Sequence, residues 1–137
     1  MTNTQTVPEL FRVLDANLNR LREGIRVVED ILRYQYNNKQ LASSLKKLRH
    51  KAQTPDTLQL LTCRDSINDV LKSSTKSELY RSNLENIVIA NCKRAEESAR
   101  VLEELYKLSD INLSENFKSI RYELYSLEKE IFLFMNK

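Results

Sequence analysis

The sequence predicts an all-α fold, an antiparallel helical bundle of about four main helices that contains an internal helix repeat. Three observations carry that expectation. Glycine occurs once, at Gly24, and proline twice, at Pro8 and Pro55, so the residues that punctuate sheets and tight turns are nearly absent. Apolar residues such as Leu14, Leu18, Leu21, Ile25, Val28 and Leu32 step by four and three in alternation, which holds them on one face of a helix turning about 100° per residue. Residues 16–33 also overlay on residues 90–107 without a gap. The 137 residues have the length of one ordinary domain, and a hydrophobic content of 41% is enough for one core, so residues 1–137 are expected to form a single helical domain.

The elements follow in order. Thr6-Val7-Pro8-Glu9 has the form of a capping box, a hydroxyl for the first helix amides with a glutamate three residues on that reaches back. The first helix should run from there to about Tyr36. Asn37 with Gln40 suggests the cap of a second, shorter helix carried by Leu41, Leu45 and Leu48, which Pro55 closes. Residues 53–80 lack a clear period, so short helices and loops are expected. A long helix begins at Ser82 or Asn83 and continues to Leu108. Asn112 with Glu115 caps the last one, whose core stripe is Phe117, Ile120, Leu124, Leu127, Ile131 and Phe134.

Composition narrows the function classes. Lys and Arg number 22 against 19 Asp and Glu, a formal +3 that is too mild to imply nucleic-acid binding without a clustered basic face. No run approaches the roughly 20 apolar residues of a membrane span. Cys63 and Cys92 lack CxxC spacing, and the start of the sequence has no basic segment followed by an apolar stretch, so a reduced, cytoplasmic protein is expected. His50 is the one histidine, which makes a zinc site hard to assemble.

The repeat is written in charged residues. Ala16, Asn17, Arg20, Glu23, Arg26, Val27 and Glu29 meet Ala90, Asn91, Arg94, Glu97, Arg100, Val101 and Glu103 at an offset of 74 (91 − 17). Seven identities in the eighteen aligned positions compare with about one for unrelated helices. The pattern N-x-x-R-x-x-E-x-x-R-x-x-E is mostly polar, whereas a repeat kept for packing should resemble itself at core positions. On a helical wheel centred on Leu14, Asn17 and Glu29 fall about 60° to either side, at the edges of the buried stripe. Arg22, Arg26 and Arg33 share Glu29's side, and Glu23 and Asp30 lie further round. Gly24, matched by Ser98, shares Asn17's side and leaves room for a close neighbour. Two such helices face to face would line a cleft with guanidinium and carboxylate groups. The plainer alternative is a pair of wet faces, since Arg and Glu three or four apart form surface pairs worth about a few tenths of a kcal/mol. The asparagine of each copy, a poor helix former, argues instead for a specific hydrogen bond.

These residues resemble a known family. D-A-N-L-N-R-L-R-E-G-I-R-V-V-E-D-I-L-R-Y, Asp15 to Tyr34, is similar to the opening of the hydroxymethylpyrimidine-phosphate kinase family, a helical domain often fused in front of thiamine phosphate synthase. The likeness continues through Leu48-Arg49-His50, Arg64-Asp65 with Asp69-Val70, Ala90-Asn91 with Lys93-Arg94, Glu97, Arg100, Leu102-Glu103-Glu104, Arg121-Tyr122, Tyr125 and Leu127-Glu128-Lys129, and so covers nearly the whole chain. The resemblance also implies a glycine shortly after Arg64-Asp65, where this chain has Ser66-Ile67-Asn68. It implies a role in thiamine biosynthesis: transfer of the γ-phosphoryl group of ATP to 4-amino-5-hydroxymethyl-2-methylpyrimidine phosphate, giving the diphosphate. Thiamine phosphate synthase is the partner protein implied.

Such chemistry asks a protein for alignment and charge neutralisation. The acceptor phosphate, with a second pKa near 6, is already an anionic nucleophile, so no strong base is needed. With no G-x-x-x-x-G-K-[ST] string, a P-loop is excluded and side chains must hold the phosphates. Arginine forks suit that task. The catalytic candidates are Arg20, Arg26, Arg94 and Arg100. Asn17, Asn19, Arg64, Asp65, Asn91 and Lys93 are candidates for substrate binding. Mg2+ keeps several waters, so one or two carboxylates among Glu23, Glu29, Asp30, Glu97 and Glu103 would suffice for it. Asp65 and Asp69 could equally cap a short helix, Tyr122 and Tyr125 fit packing, and Cys92, aligned with Leu18, fits a small core position. An internal pair could complete the cleft, or a homodimer could. The rivals are a non-catalytic ligand-binding or regulatory domain partnering thiamine phosphate synthase, a helical mutase of the chorismate type, and an oligomerisation bundle.

Overall fold

The computed structural model describes residues 8–137, so the Thr6 cap lies outside the described residues. Four long helices form the bundle: α1 (Pro8–Asp30), α2 (Lys39–Lys51), α5 (Leu84–Tyr106) and α6 (Ile111–Met135). Two short ones, α3 (Thr57–Cys63) and α4 (Lys76–Leu79), interrupt the irregular middle stretch, and no strand occurs among the described residues.

Three boundaries differ from those expected. α1 does not run unchanged to Tyr36 but passes into a π-helical turn, Ile31–Gln35. Asn37 is not a cap: it takes the left-handed conformation (φ 53°) that ends the turn, a role asparagine fills more readily than most residues. The cap is its neighbour Asn38, whose side chain accepts from the Leu41 amide. At the last helix Asp110, rather than Asn112, accepts from the amides of Asn112 and Leu113. Sequence spacing located each helix start and chose the wrong one of two neighbouring polar side chains. Asn83 does cap α5, accepting from the Asn86 amide.

Directions follow from the contacts. Tyr36, just before α2, packs edge-on against Phe134 near the end of α6, with ring centres 5.5 Å apart. At the other end of α2, Lys51 pairs with Glu123 of α6 at 2.8 Å. α2 and α6 are therefore antiparallel, and because short turns reverse the chain from α1 to α2 and from α5 to α6, α1 and α5 also run in opposite directions. The expected stripes meet at the centre, where Leu14, Leu21, Ile25, Ala95, Phe117 and Ile120 are fully buried. Cys92 is buried among them, and its burial pushes the thiol pKa up to about 12.

The helix repeat extends to how α1 and α5 each meet the helix that follows. Glu29 of α1 is held by Arg49 of α2, at 2.8 and 3.3 Å. Its counterpart Glu103 of α5 is held by Arg121 of α6, at 3.0 and 2.8 Å. Asn17 Nδ2 donates to the Val13 carbonyl at 2.9 Å, and Asn91 Nδ2 to that of Ile87 at 2.8 Å. Arg26 pairs with Asp30 at 3.2 Å, and Arg100 with Glu104 at 3.3 Å. The bonds within α1 and α5 recur at the 74-residue offset, and the arginines that hold Glu29 and Glu103, Arg49 and Arg121, stand on the following helix 72 residues apart (121 − 49), so α1–α2 and α5–α6 are similar units in an approximate twofold arrangement. The copies touch closely where Gly24 meets α5: an added Cβ would lie 2.9 Å from the Asn91 carbonyl oxygen and 3.3 Å from Ala95 Cβ.

Candidate functional site

The first Asn, Arg and Glu of each copy meet in one place. Asn17, Arg20 and Glu23 of α1 and Asn91, Arg94 and Glu97 of α5 line a groove of about 650 Å³ between the two helices, floored by Gly24 and Ser98 and flanked by Val27, Val101 and Glu78 of α4. The missing Cβ at Gly24 lets the helices approach, so side chains one turn away on both reach a common space. Each asparagine donates an amide N–H to its own helix, which fixes the side chain's orientation and leaves its oxygen without a partner among the described residues. Arg20, Arg94, Glu23 and Glu97 are exposed and in no hydrogen bond or ion pair among the described residues. Two guanidinium and two carboxylate groups, one of each from either copy, thus face one groove without a hydrogen-bonded counter-charge, although Arg64 acts on Glu23 electrostatically from the adjoining loop.

The second Arg and Glu of each copy do not reach that groove. Arg26 and Arg100 lie on the solvent side in same-helix pairs, their side chains 53% and 56% exposed. Asp30 is taken by Arg26. Glu29 and Glu103 are 1% and 5% exposed and face the neighbouring helix of their own hairpin, where arginines satisfy them. Arg49 and Arg121 have raised pKa values, the first chiefly from its bond to Glu29 and the second chiefly from its bond to Tyr125 and its pairing with Glu103. Lys93 points toward α6, between Glu96 at 3.2 Å and Glu128 at 3.0 Å.

Asn19, Arg64 and Asp65 gather in an adjoining cavity of about 640 Å³, which shares Arg20 and Glu23 with the groove. Arg64 forms a two-pronged pair with Asp15, both bonds 2.7 Å, which raises the Arg64 pKa and ties the loop after α3 to α1. Asn19 donates to the same Asp15 at 3.4 Å. Asp65 accepts from the amides of Ile67 and Asn68 and from the Asn68 side chain; the Asn68 bond chiefly holds its pKa low. Those amides, in the stretch where the resemblance implies a glycine, are thus occupied by Asp65, which shapes the loop as a turn-capping aspartate does.

Sequence reasoning missed Asp15, Glu78 and Glu96. Asp15 stands one residue before the repeat, where its match is Ile89, so the repeat does not single it out. Glu78 belongs to α4, whose four residues carry no periodic signal, although Thr75 and Glu78 do form a capping box. Glu96 replaces Arg22 in the alignment, a charge reversal that marks where the copies diverge. It is 4% exposed with Oε2 unpaired, and burial together with nearby Glu128 lifts its pKa to about 7.

Among the described residues no three His, Cys, Asp or Glu side chains form a ready-made metal cage. Glu23 and Glu97 still fit Mg2+, a cation held by one or two carboxylates, its own waters and substrate phosphates. No helix among the described residues is long and apolar enough to cross a membrane.

The ThiD2 family model matches residues 12–130. The chain is 39% identical over 123 residues to a thiamine-phosphate synthase of Nostoc punctiforme, covering 89% of this chain and 35% of that protein. It is 42% identical over 120 residues to a thiamine-phosphate synthase of Synechocystis, covering 87% and 35%, and 35% identical over 140 residues to one of Rhodopirellula baltica, covering 98% and 37%. It thus spans about a third of the length of the curated relatives it matches. No solved structure matches. A family match over most of the chain, with relatives in one pathway, identifies this all-helical chain as a member of the ThiD2 family, associated with thiamine biosynthesis.

Proposed function

We propose that the groove transfers the γ-phosphoryl group of ATP to 4-amino-5-hydroxymethyl-2-methylpyrimidine phosphate, forming the diphosphate used in thiamine biosynthesis. One observation carries this: two matched sets of Asn, Arg and Glu face a single groove, and Arg20, Glu23, Arg94 and Glu97 make no hydrogen bond or ion pair among the described residues. An oxygen of the acceptor phosphate attacks the γ phosphorus. A new P–O bond forms, the bond from the γ phosphorus to the β–γ bridging oxygen breaks, and ADP leaves with that electron pair. The acceptor's dianion supplies the nucleophile, so a lone histidine outside the groove is no obstacle. Arg20 and Arg94 neutralise the equatorial charge of the transferring group, one from each copy. Glu23 and Glu97 would hold Mg2+, which when bound adds further charge neutralisation to the phosphates. The free alcohol would leave guanidinium groups of the groove unpaired, so the phosphorylated acceptor is selected.

The test is an ADP-coupled assay with purified protein, ATP, Mg2+ and the pyrimidine phosphate, beside the free alcohol. Arg20→Ala and Arg94→Ala each lower turnover by about two orders of magnitude, on the scale of one preorganised charged donor. Arg26→Ala and Arg100→Ala, which remove solvent-side pairs, change it by less than about threefold. Binding of both ligands without ADP release would instead identify a non-catalytic module that partners the synthase.

A further inference from the structure

The two half-sites are matched in sequence but not in surroundings. Arg20 and Glu23 belong both to the groove and to the cavity under the Arg64–Val70 loop, whereas Arg94 and Glu97 line the groove. We propose that the nucleoside triphosphate lies across the α1 half-site with its base and sugar in the loop cavity, and that the small pyrimidine phosphate occupies the α5 half-site. This rests on the kinase function proposed above and assigns its two substrates to the two copies of the repeat.

The argument is one of length and lining. A nucleoside triphosphate carries a base, a sugar and three phosphates in a row, and needs a second compartment beyond the one where its terminal phosphate reacts. The acceptor is a single ring with one phosphate and needs none. The groove and the loop cavity are each large, about 650 and 640 Å³, and meet at Arg20 and Glu23. A triphosphate entering from the loop side therefore brings its γ group past Arg20 to the groove, where Arg94 faces it from the other copy.

The wall of the second compartment is built rather than incidental. Arg64 is locked to Asp15 by two 2.7 Å bonds, and the Asp65 carboxylate collects the next loop amides, so the loop has a fixed footing on α1. Beyond that footing the loop turns apolar side chains outward instead of inward. Val70 is 93% exposed yet lines the cavity, as does the 41% exposed Val13 of α1. These two exposed aliphatic groups offer the cavity apolar surface on which a flat heteroaromatic base can rest, while Asn68 and Ser66 of the same loop offer polar partners for a sugar. Occupation by a base would remove Val70 from water, giving that exposed side chain a function.

The test uses 15N-labelled full chain and two probes, the Mg2+ complex of the non-hydrolysable analogue AMP-PNP and the pyrimidine phosphate. AMP-PNP should shift the amide resonances of Arg64–Leu71, and the pyrimidine phosphate those of Asn91–Ser98. Val70→Asp, a change on a 93% exposed side chain, should weaken AMP-PNP binding and raise the KM for ATP by at least about tenfold, since it removes apolar surface for the base in a cavity that Glu9, Asp65 and Asp69 already line, and leave the KM for the acceptor unchanged. Asn91→Ala should do the reverse. AMP-PNP shifts confined to Asn91–Ser98, or an unaltered AMP-PNP affinity in Val70→Asp, would overturn the assignment. AMP-PNP shifts at the loop together with no turnover would keep the nucleotide placement and count against the kinase reaction alone.

Discussion

Replacing Gly24 by alanine tests the packing on which the groove depends. In an ordinary helix interior the change stabilises by about 0.5–1 kcal/mol, because alanine is the better helix former. Here the added methyl carbon would sit 2.9 Å from the Asn91 carbonyl oxygen and 3.3 Å from Ala95 Cβ. The nearer contact is backbone, which no rotamer change relieves, so α5 must move off α1 by a few tenths of an ångström. Overpacking of this kind costs about 1–3 kcal/mol. Subtracting the gain in helix propensity leaves a net loss of about 1 kcal/mol, a fall in Tm of roughly 3–5 °C at this chain length. The same displacement separates Arg20 from Arg94 and lowers turnover by roughly tenfold, since phosphoryl transfer is sensitive to sub-ångström alignment. Thermal unfolding followed by circular dichroism, with the ADP-coupled assay alongside, reads both effects. A Gly24→Ala protein that melts higher than wild type and turns over normally would refute the close approach of α1 and α5.

Three further outcomes are expected. Arg121→Ala strands the Glu103 carboxylate, 5% exposed, without its partner, and should destabilise by about 3–5 kcal/mol in urea unfolding, with the double change Glu103→Gln, Arg121→Met recovering much of the loss; a single-variant loss under about 1 kcal/mol would contradict the role of the pair. Glu96, held up at about 7 against an ordinary carboxyl near 4.5, binds more protons folded than unfolded between those values, so stability should decline as pH rises from about 4.5 to 7 and level off above; Glu96→Gln should raise Tm at pH 8 and leave it nearly unchanged at pH 4, and equal effects at both would count against a buried, charge-crowded carboxyl. Cys92, buried with its thiol pushed up to about 12, should resist a thiol reagent at pH 8 until the protein unfolds, whereas half-buried Cys63 reacts in the native state; rapid modification of both thiols would mean that the α5–α6 seam is open.

Much of the molecule was legible in its sequence. The stripe from Leu14 to Leu32 specified α1, and its buried side is the side the wheel placed inward. The absence of side chain at Gly24 announced a close neighbour, and Asn91 is that neighbour. The repeat by itself announces paired elements. These features depend on local geometry, where the angle between two residues on one helix is set by their separation in sequence. Cap positions were legible to within a residue or two, because asparagine and aspartate compete for the same amides and local backbone angles decide which succeeds.

The candidate site was only half legible. N-x-x-R-x-x-E-x-x-R-x-x-E presents two arginines and two glutamates per copy as equals, yet only the first of each lines the groove. The arginines part on the wheel, Arg26 and Arg100 turning to same-helix acids, whereas the glutamates are parted by a residue on another helix: Arg49 on α2 claims Glu29, and Arg121 on α6 claims Glu103. Sequence alone determined the helices, their buried faces and the existence of two matched units, since each follows from the periodicity of a single element. Only the tertiary structure decided which charges are spent on holding the hairpins together and which are left for a ligand, because a buried charge must find its counter-charge across space, and the wheel of one helix does not say which neighbour covers each side.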